Sequence, residues 1–599
     1  MILNILYASQ TGNAKFFACY LEKLLRKFCS SSQVFSLPGN AYDVSFIDCD
    51  KNYIFIFIVS TTGHGDIPDN FDQMWNRLFK KSTSPCKTPL KFLVIGLGDS
   101  TYLKYNYSAK ILYRRLLQLN FVPINSDLGG IHLIDEAKNE SPYRQFNEIA
   151  LNIIRTLQFD FNILFLPSKL SNIFAPDIVK EILMKPVTLA DRKIVPCARD
   201  KDLFVLNCIS NERITSESHF QETRLIKFQV PKGISFLPGD VLSIQPKNSR
   251  DDVTKFYEIT KLQSFKDKLF QFDNITETFD WFLNYYFDLH GSPGQLFFIN
   301  LANVHESSKR ELFTVEDEER KAMEHERLLE LGNVNDENNL EDYYDYVTRP
   351  RRKLVEILID FPITSQFLNE INVFNVLPGP IGMRQYSICN WSSQSEIALL
   401  VAIVDYKTII KENRKGLCSN YLKNLDPGDT IKACIKSSKS LYLDYSGHFR
   451  LESSPPCILI APGTCVASHK SFIDYQCKNG VKPIMPNLLI FGCRNEEADF
   501  YFEKDWKSIP DYIQVKTAFS QSPKVPKTYV QEIIRRDADL IWKMVNEHDA
   551  SILIVANNKI MAKDVTEIFM EIFTRLSPLE NLELSRLERL KRFQIEAWS

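Results

Sequence analysis

Ser9-Gln10-Thr11-Gly12-Asn13-Ala14 follows the apolar run Ile2–Tyr7 and leads into a helical pattern. Hydroxyls and backbone N–H groups in such a run can cradle a phosphate. Gly12 allows the tight turn, and the helix that follows turns its positive end toward the anion. The dipole contributes only about 0.3–1 kcal/mol, so hydrogen bonds must supply most of the grip. Alone, a Ser/Thr/Gly run is as often a helix cap. Far downstream, Arg384-Gln385-Tyr386-Ser387 combines a guanidinium fork suited to pyrophosphate, a ring that can stack on a planar ligand, and a hydroxyl. Gly416-Leu417-Cys418-Ser419 offers a small turn for the other end of the same pyrophosphate. One chain thus carries a mononucleotide pattern and a dinucleotide pattern.

The elements that must position these residues differ between the two ends. At the front, Ile2–Tyr7, Tyr53–Ser60 and Leu90–Gly96 read as strands, the last two nearly continuous apolar runs of the kind buried on both faces of a parallel sheet. Each ends in a polar, glycine-containing loop, as in a doubly wound α/β unit whose ligands sit at the carboxyl ends of its strands. From about residue 200 the pattern becomes antiparallel, with strands expected at Leu203–Ile209, Thr223–Val230, Val241–Gln245, Arg384–Cys389, Glu396–Val404 and Thr430–Ile435. Residues 250–375 interrupt it with helical spacing, and Glu316–Asp345 within them reads as an acidic, solvated helix face and loop. A second α/β series has strands expected at Cys457–Ala461, Asn487–Gly492, Tyr512–Ala518 and Ala550–Ala556. The expected division is 1–155 a doubly wound α/β domain, 156–198 a linker, 199–452 an antiparallel β-barrel domain with the helical insertion, and 453–599 an α/β nucleotide-binding domain.

The 599 residues are 44% apolar and 24% charged, ordinary for a multidomain globular chain. A net charge of −2 argues against general nucleic-acid affinity. The 13 cysteines form no CxxC pair, which removes zinc-ribbon and thioredoxin readings and leaves no metal site expected. Reduced thiols in a cytosolic protein are the simpler account. No apolar run approaches the roughly 20 residues of a membrane span. MILNILYASQ carries no basic leader, so neither signal peptide nor anchor is expected.

Two more front loops, Ser60-Thr61-Thr62-Gly63-His64-Gly65-Asp66 and Gly96-Leu97-Gly98-Asp99-Ser100-Thr101-Tyr102-Leu103-Lys104-Tyr105-Asn106, fall on the same sheet edge as Ser9–Ala14. Together the three resemble the flavodoxin-like FMN domain of diflavin reductases. The resemblance implies that the first loop holds the FMN phosphate, that the other two enclose the isoalloxazine, and that Tyr102 stacks on it; as a core residue Tyr102 would instead be half-buried. That family also carries an acid in the next loop, which Asn125-Ser126-Asp127-Leu128-Gly129-Gly130 does not place.

The rear patterns resemble the FAD site of the ferredoxin–NADP reductase family. Arg351, ahead of a strand expected at Leu354–Ile359, matches a further FAD-contacting arginine there, or is a solvated surface residue. Pro462-Gly463-Thr464 is similar to that family's nicotinamide-nucleotide loop, with Cys465 where a glycine is expected and Ser468 and His469 where a proline and an aromatic are. Phe491-Gly492-Cys493-Arg494 matches more closely, and the resemblance makes Cys493 an aid to hydride transfer, against the plain alternative of a buried core cysteine. Ser520, Lys527 and Tyr529, with Thr528, Val530 and Gln531 beside them, match the group that binds the adenosine 2′-phosphate of NADPH, and Asp564 a further nucleotide contact. Gln521 replaces an arginine of that group. One lost charged hydrogen bond costs about 1.5–3 kcal/mol, roughly ten- to a hundredfold in affinity, for which Lys524 is the compensating candidate. At the end, Trp598 resembles the aromatic that covers the FAD ring, and Glu596 the acid that completes a hydride-transfer cluster with Ser387 and Cys493.

In this order the motifs resemble cytosolic NADPH-dependent diflavin oxidoreductases. The resemblance implies FMN, FAD and NADPH as cofactors and electron flow from NADPH through FAD and FMN to an anamorsin-type iron–sulfur protein in cytosolic iron–sulfur assembly. It also implies a cytoplasmic location, with association to mitochondria. Asp66, Asp69, Asp72 and Asp99 beside the FMN edge could steer a basic partner, or be solubilising charge. A soluble cytochrome reductase and a scaffold with degenerate flavin sites remain as alternatives.

Overall fold

Leu3, Ile5 and Tyr7 point to one side of the first strand and Leu6 and Ala8 to the other, and both sets are buried. The third strand repeats this division, with Ile54, Ile56 and Ile58 on one face and Phe55, Phe57 and Val59 on the other. A strand apolar on both sides needs a layer of helices on each face. In the computed structural model, α1 (Asn13–Phe28) and α4 (Pro142–Phe161) cover the first face, and α2 (Asp72–Phe79) and α3 (Tyr107–Gln118) the second. The described residues are 2–9, 13–28, 33–42, 53–62, 65–80, 82–86, 88–100, 104–124, 130–135, 142–161, 203–272, 275–304, 315–333, 337–370, 372–391, 395–408, 413–436, 441–442, 455–556, 559–576 and 581–597.

The front strands are β1 (Ile2–Ala8), β2 (Gln33–Pro38), β3 (Tyr53–Ser60), β4 (Leu90–Gly98), β5 (Phe121–Pro123) and β6 (Ile131–Asp135). All pairings are parallel, in the order β2-β1-β3-β4-β5, with β6 also paired to β4. This is the flavodoxin-like order, its fifth position shared by two short strands, β5 along the start of β4 and β6 along its end. The expected linker at 156–198 is described only as far as Phe161, where α4 ends.

The antiparallel region has β7 (Phe204–Arg213), β8 (Thr223–Gln229), β9 (Val241–Gln245), β10 (Arg384–Ser387), β11 (Glu396–Ala402) and β12 (Thr430–Lys436). Their order is β10-β9-β12-β7-β8-β11, and an Ile388–Leu399 bridge joins the two ends into a barrel. Period-2 residues Leu206 and Cys208, Ile226 and Phe228, Leu242 and Ile244, and Ile397, Leu399 and Val401 fill it.

Between β9 and β10 lies a helical segment with its own core, in which Phe256, Phe279, Phe282, Phe298, Leu328, Leu354 and Leu358 meet. Its main helices are α5 (Arg250–Thr260), α6 (Phe279–Tyr285), α7 (Gln295–Asn303), α8 (Val315–Gly332) and α9 (Leu354–Asp360). α9 replaces the strand expected at Leu354–Ile359. Leu354, Val355, Ile357 and Leu358 are buried at helical spacing, and Glu356 accepts the Lys353 N–H at 3.0 Å to cap the first turn. Contacts divide the chain into two compact units, Met1–Asp200 with Asn248–Pro380, and Lys201–Lys247 with Ile381–Ser599.

The last sheet has β13 (Cys457–Pro462), β14 (Asn487–Cys493), β15 (Ile513–Phe519), β16 (Ser551–Ala556) and β17 (Phe593–Ala597), all parallel in the order β15-β14-β13-β16-β17. Counted within this domain the order is 3-2-1-4-5, the dinucleotide-binding arrangement. β17 is unforeseen: the expected tail is a fifth strand, with Glu596 beside Val555. No helix among the described residues is long and apolar enough to cross a membrane.

Candidate functional site

At the front sheet edge the loops are sewn to one another. Ser9 N–H donates to Asn70 Oδ1 at 2.9 Å, and Ser60 Oγ to Ala8 C=O at 2.9 Å. Thr61 N–H reaches Leu97 C=O at 3.2 Å, and Thr62 and Asp66 close a small bridge. Ser108 Oγ donates to the carbonyls of Gly65 and Asp66 at 3.1 and 2.9 Å. Asn106, buried and left-handed at φ 52°, donates through Nδ2 to Ile134 C=O at 3.0 Å. A non-glycine residue held there is a strained position that its surroundings must enforce. Leu97 is a core side chain, so its contribution to a ligand is through its backbone. Asn13 begins α1 immediately after the first loop, which leaves the positive helix end facing it. Gln10, Thr11, Gly12, Gly63, Thr101, Tyr102 and Leu103 lie outside the described residues.

Residues 125–129 lie outside the described residues, and an acid further on is held against the third loop. Asp135 ends β6 and is buried, and its Oδ1 accepts the Ser100 N–H at 2.9 Å. It anchors the third loop from the neighbouring strand. The signal available in the sequence was the short run Ile131-His132-Leu133-Ile134 ending in this acid. Tyr105 is half-buried, which pushes its phenol up, and Lys110 lies over its ring at 4.8 Å. Lys104 is exposed and lies over Tyr107 at 5.2 Å. The hydroxyls, the backbone donors and the helix end fit a flavin mononucleotide.

On the barrel, Arg384 and Gln385 are exposed and Tyr386 and Ser387 half-buried along β10, which pairs with β9. Tyr386 stands against the buried Cys418 thiol, and burial pushes the phenol well up and the thiol up to about 12. Gly416 precedes α10 (Leu417–Lys423), and a Cβ there would lie 2.8 Å from Val404 Cβ. Ser419 Oγ accepts the Val404 N–H at 3.1 Å, so the loop is held independently of any ligand. Tyr406, on a short hairpin strand paired to Asn413–Lys415, is an exposed ring next to this loop that sequence reasoning did not single out. In the helical segment, Arg351 is exposed and left-handed at φ 51°, its N–H donating to Thr348 C=O at 3.2 Å.

At the carboxyl ends of the last sheet, Gly463 takes φ 53° in the loop between β13 and α11 (Val466–Asn479). Cys465 occupies the expected glycine position without crowding it, because its side chain is buried in the core with Leu459 and Phe491. Ser468 and His469 are also core residues. His469 joins the Tyr442 hydroxyl at 2.8 Å and Ile460 C=O at 3.2 Å, and burial pulls its imidazole down to about 4. Ser520 N–H donates to Cys493 C=O at 3.0 Å, which puts the Ser520–Gln521 turn beside β14. Lys527 is exposed over the Tyr529 ring at 5.0 Å, and Tyr529 precedes α12 (Val530–Arg536). Thr528 N–H donates to Phe519 C=O at 2.9 Å, Val530 is buried, and Gln531 is half-buried. Asp564 is half-buried on the long helix Lys559–Leu576.

The expected cluster of Cys493 with Glu596 does not form. Cys493 ends β14 and Glu596 lies on β17, with β13 and β16 between them, about 14 Å at three strand spacings. Burial pushes Cys493 well up, joined by the charges of Asp499 and Glu496. The thiol that feels Glu596 is Cys465, pushed up to about 12 by burial and by that carboxylate. Glu596 itself is pushed up to about 7 by burial. Trp598 lies outside the described residues.

The chain matches the flavodoxin family over residues 5–145, the FAD binding domain family over 197–421, and the oxidoreductase NAD-binding domain family over 459–567. It is 31% identical to an NADPH-dependent diflavin oxidoreductase 1 of Bos taurus, across 100% of this chain and 99% of that protein. The chain belongs to the NADPH-dependent diflavin oxidoreductase family. Relatives of the same name in Candida albicans and Schizosaccharomyces pombe are each 30% identical, the first covering 100% of this chain and 99% of its own length, the second 99% of both. As a diflavin oxidoreductase it is an enzyme that uses FMN, FAD and NADPH. FMN belongs to the flavodoxin domain, FAD to the barrel and NADPH to the last sheet.

Proposed function

We propose that this diflavin oxidoreductase takes electrons from NADPH and delivers them, through FAD and then FMN, to a basic surface of an anamorsin-type iron–sulfur protein in cytosolic iron–sulfur assembly. The bound cofactors supply the redox chemistry, and the chain supplies position, shielding and charge. Ser9 to Ala14, the Thr61–Asp66 loop and the Leu97–Asn106 loop would hold FMN. Arg384 to Ser387, Gly416 to Ser419 and Arg351 would hold FAD, with Trp598 against its ring. Thr464, Ser520, Lys527, Tyr529 and Asp564 would hold NADPH. Ser387 and Glu596 would be the polar groups nearest the transferred hydride.

The observation that carries the acceptor reading is the acidic rim of the FMN edge. Asp66 and Asp72 are exposed on it, and Asp99 is half-exposed one residue after β4. Such charge raises the on-rate of a basic partner more than its final affinity. Changing Asp69 and Asp72, which lie outside the Thr61–Asp66 and Leu97–Asn106 loops, together to lysine should lower reduction of the iron–sulfur partner about tenfold at low salt, an effect that fades as salt screens it. Reduction of ferricyanide should not fall. Equal loss of both activities would place the effect inside the enzyme and remove the docking reading.

A further inference from the structure

The turn carrying Gln521 is joined to β14 by Gln521 N–H donating to Arg494 C=O at 2.8 Å. Arg494 is therefore the direct neighbour of the position where an arginine is missing. Its backbone is fixed from the other side too: the buried Asp499 carboxylate accepts the N–H of Arg494 at 3.0 Å and of Asn495 at 2.7 Å. Its guanidinium lies over the ring of Phe220, 4.5 Å from Cζ to the centroid. Phe220 is 74% exposed, in the loop before β8, where a large apolar ring gains little from the protein's own packing.

The other cations nearby are differently placed. Lys524 is held in an exposed ion pair with Glu497. Lys527 is an exposed point charge over Tyr529. Arg494 makes no ion pair among the described residues. A guanidinium braced on a ring keeps its N–H edges available, and those edges match a phosphate bidentately.

We propose that Arg494, braced by Phe220, supplies the charge that Gln521 lacks and selects the adenosine 2′-phosphate, making it a specificity residue for NADPH over NADH. The proposal rests on the reading of Ser520 and Lys527 as the cradle of that phosphate.

Calorimetric titration of the flavin-loaded enzyme with 2′,5′-ADP and with 5′-AMP tests it. R494Q should weaken 2′,5′-ADP ten- to a hundredfold and 5′-AMP less than threefold. Q521R added to R494Q should restore most of the loss. F220A should cost only a few fold, since the charge remains. Q521R in the otherwise unchanged enzyme should tighten 2′,5′-ADP less than threefold, an arm that leaves Arg494 untouched should R494Q fold poorly. The proposal is overturned if R494Q leaves 2′,5′-ADP binding within twofold, if both ligands weaken alike, or if Q521R alone tightens binding tenfold. A Ser520→Ala, Lys527→Ala double variant separates the two readings. If it leaves 2′,5′-ADP binding intact, the phosphate cradle lies elsewhere; if it weakens binding and R494Q does not, only the role of Arg494 falls.

Discussion

Glu596 should make the hold on β17 depend on pH. Its carboxyl is raised from an ordinary 4.5 to about 7 because folding buries it beside β16. When the strand lifts off, the carboxyl is solvated and returns toward 4.5. Between these values the closed strand keeps a proton that the open strand releases. The stabilisation is therefore fully present below about pH 4.5 and is lost as pH rises through about 7. Each pKa unit is worth about 1.4 kcal/mol, so the closed strand loses on the order of 3 kcal/mol across the window. The neighbours do not confuse the reading: His469, pulled down to about 4, stays neutral through most of it, and Cys465, at about 12, stays protonated. Hydrogen exchange of the Phe593–Ala597 amides reports this local opening without melting the whole enzyme. Corrected for intrinsic rates, protection should fall about a hundredfold from pH 5 to pH 8, and Glu596→Gln should flatten the profile. The same slope in both proteins would show that Glu596 is solvated in the closed strand and refute the argument.

Arg351→Gly should relieve a left-handed backbone, a gain of up to about 1 kcal/mol offset in part by glycine's freedom in the unfolded chain, yet lose FAD on desalting. Unchanged flavin content, read by chromatography of released FAD, would make Arg351 a surface residue. Asp135→Ala should remove the acceptor of the Ser100 N–H at a cost of about 1 kcal/mol and release FMN while FAD stays bound. Asp135→Asn, which keeps an acceptor oxygen, should recover much of the FMN; release of both flavins by the alanine variant would indicate general unfolding instead.

The sheets were legible because their central strands are apolar on both faces, as Tyr53–Ser60 and Cys457–Ala461 show directly in sequence. The short strands were not. Phe121–Pro123, Ile131–Asp135 and Phe593–Ala597 are too brief to show a period, and they form because a longer strand beside them offers an edge. Leu354-Val355-Glu356-Ile357-Leu358-Ile359 misled because its β-branched content suits a strand, while its burial follows a helix packed into a local core. In the candidate site, residues contiguous in sequence were legible as motifs, whereas the partner of Glu596 was not. Strand order is a non-local property, and only β14-β13-β16-β17 shows that Cys493 is far from Glu596 and that Cys465 is the nearer thiol.

The barrel tolerates the helical segment because of where the chain leaves and re-enters it. Ile244 on β9 and Arg384 on β10 are direct partners in an antiparallel pair, so the chain leaves the barrel and returns about 5 Å away. Topologically the two strands are a hairpin whose turn has grown into a helical body with a core of its own. A tight turn could join the same two strands without disturbing a single barrel pairing. The length and surface of the helical body can therefore change while the hairpin that hosts it stays in register.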